Sequence, residues 1–221
     1  MRRFTQTDLD KITQATQIAE KKTSAEIVTV IARKSDNYAS VSLIFAVLIT
    51  LIFSIALILS GKTWVSWIHS FYWETNLTLA LVFFLLTQSL LFIIIWLIGH
   101  IPWLKFNLIP RNVLANTVRT SAESAFYRHK IGATQGATGV LFYISFFERR
   151  VELLVDTAIA AQIPEETWQN NVDEIIRGIK ENRFIDALST QIQNCGEHLA
   201  PLFPIQPDDV NELSDNPIIE L

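Results

Sequence analysis

The chain has 221 residues, half of them hydrophobic and 18% charged, and its 18 Lys and Arg against 22 Asp and Glu give a formal net charge of −4. That acidic balance excludes the basic footprint of a nucleic-acid binder. A single cysteine, Cys195, excludes an intrachain disulfide and a cysteine-rich zinc site, and its helical setting makes it a small core residue rather than a nucleophile.

Met1, Arg2 and Arg3 lead into a polar amphipathic stretch, so the N-terminus does not read as a secretory signal. Phe4, Leu9, Ile12, Ala15, Ile18 and Ala19 recur at helical spacing through Lys22. Thr5 and Thr7 each stand three residues before an aspartate and are alternative caps for that helix. Glu26 to Arg33 is short and rich in β-branched residues, which predicts a buried strand.

Two stretches then carry no Asp, Glu, Lys or Arg: 41–61 and 77–99. At about 1.5 Å per residue they reach roughly 31 to 35 Å, enough to cross a hydrocarbon core of about 30 Å, and in a bilayer such segments must be helices. Residues 37–104 are therefore expected to form a transmembrane hairpin with an outward loop at 62–76. Thr50 and Ser54 in the first span and Gln88 in the second are candidates for the face where the helices meet. No ionisable residue lies inside either span, which argues against an ion relay. Trp64, Trp67, Tyr72 and Trp73 in the loop, with Trp103 beyond the second span, suit the two membrane interfaces; His69 has no Cys, Asp or second His near it in sequence. Lys21, Lys22, Arg33 and Lys34 precede the spans and Lys105, Arg111 and Arg119 follow them, while the loop holds only Lys62 against Glu74. The positive-inside rule then puts both termini in the cytoplasm.

After the hairpin, Pro110 to His129 reads as an amphipathic helix, with Arg128, His129 and Lys130 favourable at its negative end. Val140 to Phe146 and Val151 to Val155 read as a β-hairpin joined across Phe147-Glu148-Arg149-Arg150. A helix follows from Pro164 to about Glu181 with Trp168, Val172, Ile175 and Ile179 on its apolar stripe, and another from Phe184 to Ala200. Residues 205–221 hold five acidic residues and no basic one, the composition of a disordered acidic tail.

This ordering resembles the TPM-domain family. The resemblance rests on Thr23-Ser-Ala-Glu26-Ile-Val at the first strand, Gly139-Val-Leu141 opening the hairpin, Glu148-Arg-Arg-Val151 at its turn, and Phe184, Leu188 and Ile192 in the last helix. Trp168 after Pro164-Glu-Glu, and Cys195-Gly196 leading to Phe203-Pro204, are similar to a bacterial membrane subgroup in which a two-span hairpin interrupts the domain after its first strand. The resemblance implies an α/β sandwich, a small sheet flanked by helices, over 1–36 plus 105–204. It also implies activities described for relatives: acid phosphatase, divalent-cation binding, or assembly and repair of complexes. The chain departs from the family at Asp156-Thr-Ala-Ile-Ala160, and at Asn182 and Ala187, where relatives carry glycines; a phosphate cradle of backbone amides loses its most permissive residues there.

The expected protein is thus a membrane-anchored factor at a bacterial inner membrane, in contact with the bilayer and with a protein partner and needing no cofactor. The alternative is a phosphatase dependent on Mg²⁺ or Ca²⁺. For that alternative Asp156 and Glu148 are the catalytic candidates, and Glu26, Glu148 and Asp156 are the metal candidates, because strand ends on one edge of a sheet can gather oxygens around a hard cation.

Overall fold

The computed structural model describes residues 4–63, 66, 70, 77–101, 106–164, 166–206 and 208–220. Its contacts divide the chain into two compact units, residues 1–36 with 111–221, and residues 37–110.

In the first unit α1 (Gln6–Glu20) starts at Thr5, whose hydroxyl accepts the Asp8 N–H while the Asp8 carboxylate accepts the Thr5 N–H, a reciprocal capping box. β1 (Glu26–Ala32) follows. After the second unit come α4 (Arg111–Arg128), a short 3₁₀ turn (Ile131–Ala133), β2 (Gly139–Ser145) and β3 (Arg150–Val155). Then follow α5 (Thr157–Ala160), α6 (Glu166–Lys180), α7 (Phe184–Leu199) and β4 (Ile218–Glu220).

The strands form one mixed sheet in the order β3-β2-β1-β4, with β1 parallel to both β2 and β4 and β3 antiparallel to β2. Every residue of β1 and β2 is buried, because helices cover both faces. Alternation assigns the faces: Ile27 and Ile31 of β1 with Phe142 and Ile144 of β2 pack against Ile12 and Ala19 of α1, Ile175 of α6, and Leu188, Ile192 and Cys195 of α7. Val28 and Val30 with Leu141 and Tyr143 pack against Val118, Ala122 and Phe126 of α4. Two glycines are set by close approach. A Cβ at Gly139 would lie 2.1 Å from the Ile131 carbonyl oxygen, and one at Gly196 would lie 2.8 Å from the Ala19 Cα where α7 crosses α1.

The expected disordered tail is a correction. Residues 208–220 run along the domain, place Leu213 and Ile218 against the α4-side core, and end as β4, with Val30 opposite Ile218 and Ala32 opposite Glu220. The apolar pair Ile218-Ile219 and the amides of Glu212 and Leu213 find partners far away in sequence, which an acidic composition does not reveal.

In the second unit α2 (Ala39–Leu59) and α3 (Leu77–Ile98) are each long and apolar enough to cross a membrane. Of α2 only Ser42 and Ala46 are buried, and large side chains such as Ile52, Ile58, Leu85 and Leu90 face outward. Where the helices touch, the Ser42 hydroxyl donates to the Gly99 carbonyl at 2.7 Å, and a Cβ at Gly99 would come within 3.0 Å of the Ser42 Cβ. Small residues permit this approach.

Candidate functional site

Strand register decides which candidate carboxylates meet. Glu26 pairs with Gly139, and the Asp156 N–H donates to the Gly139 carbonyl at 2.9 Å, so Glu26 and Asp156 lie at the same end of the sheet, about 10 Å apart across two strand spacings. Glu148 sits in the β2–β3 turn at the opposite end. The gathering of all three around one cation is therefore corrected by topology, and among the described residues no three His, Cys, Asp or Glu come together in a way that would hold a metal ion. The residues present do not fit a divalent site built from that trio.

Glu148 is buried and occupied. It accepts the Ser35 N–H at 3.0 Å on one oxygen and the Ser145 hydroxyl on the other. The Ser35 hydroxyl donates to Ser145 Oγ at 3.0 Å and lies 3.4 Å from the Tyr143 hydroxyl, while the Ser121 hydroxyl donates to the Ser35 carbonyl at 3.1 Å. Burial raises the Tyr143 phenol, with Ser35 opposing. This network ties the exit of β1, the end of β2 and α4 together beside an open cleft of about 350 Å³ lined by Ser35, Asp36, Asn116, Thr117, Thr120 and Ser121. The sequence signals only the turn acid; the serines that engage it are more than a hundred residues away or hidden inside a strand.

Asp156 caps α5, accepting the Thr157 N–H at 2.6 Å on Oδ1. Its Oδ2 is buried without a hydrogen-bond partner, and the residue lines a cleft of about 230 Å³ with Glu123, Phe126, Tyr127, Leu154 and Thr157. Glu26 is buried and accepts the N–H groups of Glu212 and Leu213 at 3.0 and 3.2 Å. Burial raises its carboxyl, and those two amides oppose the rise. Glu20, at the end of α1, takes the Ile27 N–H at 2.8 Å, and burial, with Glu26 and Asp215 nearby, pushes its carboxyl up to about 8. Nothing in the sequence marks Glu20, a polar position near a helix end. Cys195 lies wholly inside the core, where burial pushes its thiol up to about 12, so it is not a thiolate nucleophile.

In the hairpin unit the Thr50 hydroxyl donates to the Ala46 carbonyl and the Ser54 hydroxyl to the Thr50 carbonyl, so both are satisfied within their own helix. Both amide atoms of Gln88 are buried and lack a hydrogen-bond partner. Trp64, Trp67, Tyr72, Trp73 and Trp103, and also His69, lie outside the described residues.

Residues 109–197 match the family model for the TPM domain. That segment contains Glu148 and Asp156; Glu20, Glu26 and the tail fall outside it. No curated protein matches the chain. Among solved structures the chain is similar to the NMR structure of the BA42 protein from the psychrophilic bacterium Bizionia argentinensis sp. nov., with a TM-score of 0.58 and 17% identity over 99% of this chain and 96% of that one. By sequence, then, residues 109–197 are similar to the TPM domain, and by fold the chain is similar to BA42.

Proposed function

We propose that this is a membrane-anchored protein whose TPM-like domain binds a protein partner in assembly or quality control at a bacterial inner membrane. The observation that carries the reading is the hairpin. Its two 21-residue candidate spans turn Leu, Ile and Val outward, with none of the second span's apolar window buried, so lipid is the natural solvent for that surface. Lys and Arg flanking the spans favour a cytoplasmic position for both termini. A reporter fused after Leu221 is expected to be active in the cytoplasm, and periplasmic activity would overturn the orientation. Crosslinking from native membranes is expected to retain a partner that is lost when residues 1–36 and 105–221 are removed. Retention of the same partner by the bare hairpin would overturn the role given to the domain.

A phosphatase reading is favoured by one observation, the unpartnered Asp156 oxygen beside a cleft. It predicts phosphomonoester turnover by the full chain that disappears in a folded Asp156→Asn variant. Turnover unchanged by that substitution would remove Asp156 from any such chemistry.

A further inference from the structure

The cleft of about 230 Å³ between the C-terminal half of α4 and the start of α5 carries charge of one sign. Glu123 and Asp156 are its acids, and none of the described residues that line it is basic. The two basic residues that follow Tyr127 turn elsewhere: Arg128 Nη2 and His129 Nε2 lie 2.8 and 3.2 Å from Glu220 Oε1. Arg119 meets Glu123 at 3.4 Å, a half-exposed pair within one helix that solvent screens.

Asp156 is the built part of this site. The residue is only 8% exposed, and its two oxygens differ. Oδ1 takes the Thr157 N–H at 2.6 Å and caps α5, which fixes the carboxyl group. Oδ2 is buried with no donor. A Cβ placed on Gly132 would lie 3.6 Å from Oδ2 and 2.8 Å from Phe126 Cε1, so the oxygen lies near that glycine and an aromatic ring. A buried acceptor left in this way is costly, and a water is held only where about two to four polar groups meet it.

Tyr127, also in the lining, is 78% exposed, with its ring edge-on to Phe126 at a centroid distance of 6.1 Å and 83° between the planes. An exposed aromatic face beside carboxylates suits an organic cation, through the ring quadrupole and charge-assisted hydrogen bonds. A free phosphate would meet two carboxylates there and no cation.

We propose that this cleft seats the side chain of an arginine presented by a partner protein, its guanidinium donating to Asp156 Oδ2 and stacking on Tyr127, with Glu123 adding negative charge. Size selects a side chain over a metabolite, since pockets for small molecules run from roughly 300 Å³ upward. Guanidinium is selected over ammonium because its planar fork donates and stacks at once. The inference rests on the partner-binding reading for what arrives there in the cell and adds the chemistry by which it is recognised.

The test uses the full chain in detergent micelles, with N-acetyl-arginine methylamide as the probe and the neutral citrulline analogue as its control, read by NMR at the Thr157 amide. The arginine probe is expected to shift that amide saturably, and the citrulline analogue to bind about tenfold more weakly. Asp156→Asn keeps the cap, since asparagine serves there as well as aspartate. It should weaken the arginine probe on the order of tenfold. Tyr127→Ala, at an exposed position, should weaken it about threefold and carries the test if Asp156→Asn does not fold. Equal binding of the citrulline analogue, or arginine binding unmoved by both substitutions, would overturn the site. Equal binding of the matching lysine probe would overturn the choice of guanidinium, and displacement of the arginine probe by inorganic phosphate or by Mg²⁺ would overturn the organic cation. In native membranes the folded Asp156→Asn chain is expected to lose its crosslinked partner. A partner retained by a variant that no longer binds the arginine probe would overturn the cleft as that partner's seat while the partner-binding reading stands. A wild-type chain that binds the probe yet captures no partner would overturn that reading and the assignment of the arginine to a protein.

Discussion

At the end of the sheet where β1 and β2 finish, Glu148 is surrounded by donors: an amide from Ser35 and a hydroxyl from Ser145, themselves linked to one another. At the end where those strands begin, Glu26 is met by two tail amides but also by Glu212 and Asp209, and Glu20 by Glu26 and Asp215. Burial is similar for Glu148 and Glu26, and each has a donor on both oxygens; what differs is the acids that Glu26, and Glu20 beside it, also face. A buried carboxylate met by donors is a fixed joint, since removing it strands the donors. One pressed against other acids is an adjustable joint, since a proton decides whether it holds.

The fixed joint should show the largest effect. Glu148→Ala leaves the Ser35 amide and the Ser145 hydroxyl without their acceptor in a buried setting, and a loss of about 3 kcal/mol is expected in denaturant unfolding followed by the emission of the buried Trp168. A loss below about 1 kcal/mol would mean that water replaces the carboxylate and that the two ends do not differ as described. The adjustable joint should give a smaller and pH-dependent effect. Because the Glu20 carboxyl is pushed up to about 8, its contribution is full below the ordinary value of 4.5 and is lost as pH rises to about 8. Glu20→Gln should flatten that decline between pH 5 and pH 9. An unchanged pH slope would place the decline at another group.

The sequence made most of this fold legible and almost none of the contrast between its ends. Thr5 and Asp8 announce α1, the β-branched run after Glu26 announces β1, and Pro164 to Ile179 announces α6, because caps and periodicity are local signals. The two apolar helices are equally plain, the first shifted by two residues from its uncharged stretch and the second ending one residue short of its own. What stays hidden depends on partners distant in the chain. Glu148 in a charged turn looks like a surface residue until Ser35 arrives from 113 positions away. Asp156 looks like a member of a trio until register puts Glu148 at the far end. The tail looks solvated because its carboxylates dominate its composition, while its amides, which do the docking, carry no compositional mark.

Gln88 extends the comparison to a neutral group and should show the smallest effect. It lies eleven residues before Gly99, and Ser54 lies twelve after Ser42, so with Ser42 against Gly99 the antiparallel helices bring Gln88 and Ser54 to about the same level. Ser54 already donates to the Thr50 carbonyl, and the Gln88 amide is buried with no partner. In hydrocarbon an amide that makes no bond adds nothing to association, and interhelical bonds that do form average below 1 kcal/mol. Gln88→Leu is therefore expected to change the thermal stability of the detergent-solubilised protein by less than about 1 kcal/mol, in the stabilising direction, with Ser54→Ala neutral. A clear destabilisation by Gln88→Leu would show that the amide bonds in the bilayer after all. If Ser54→Ala then had no further effect in the Gln88→Leu background, Ser54 would be the group to which it bonds.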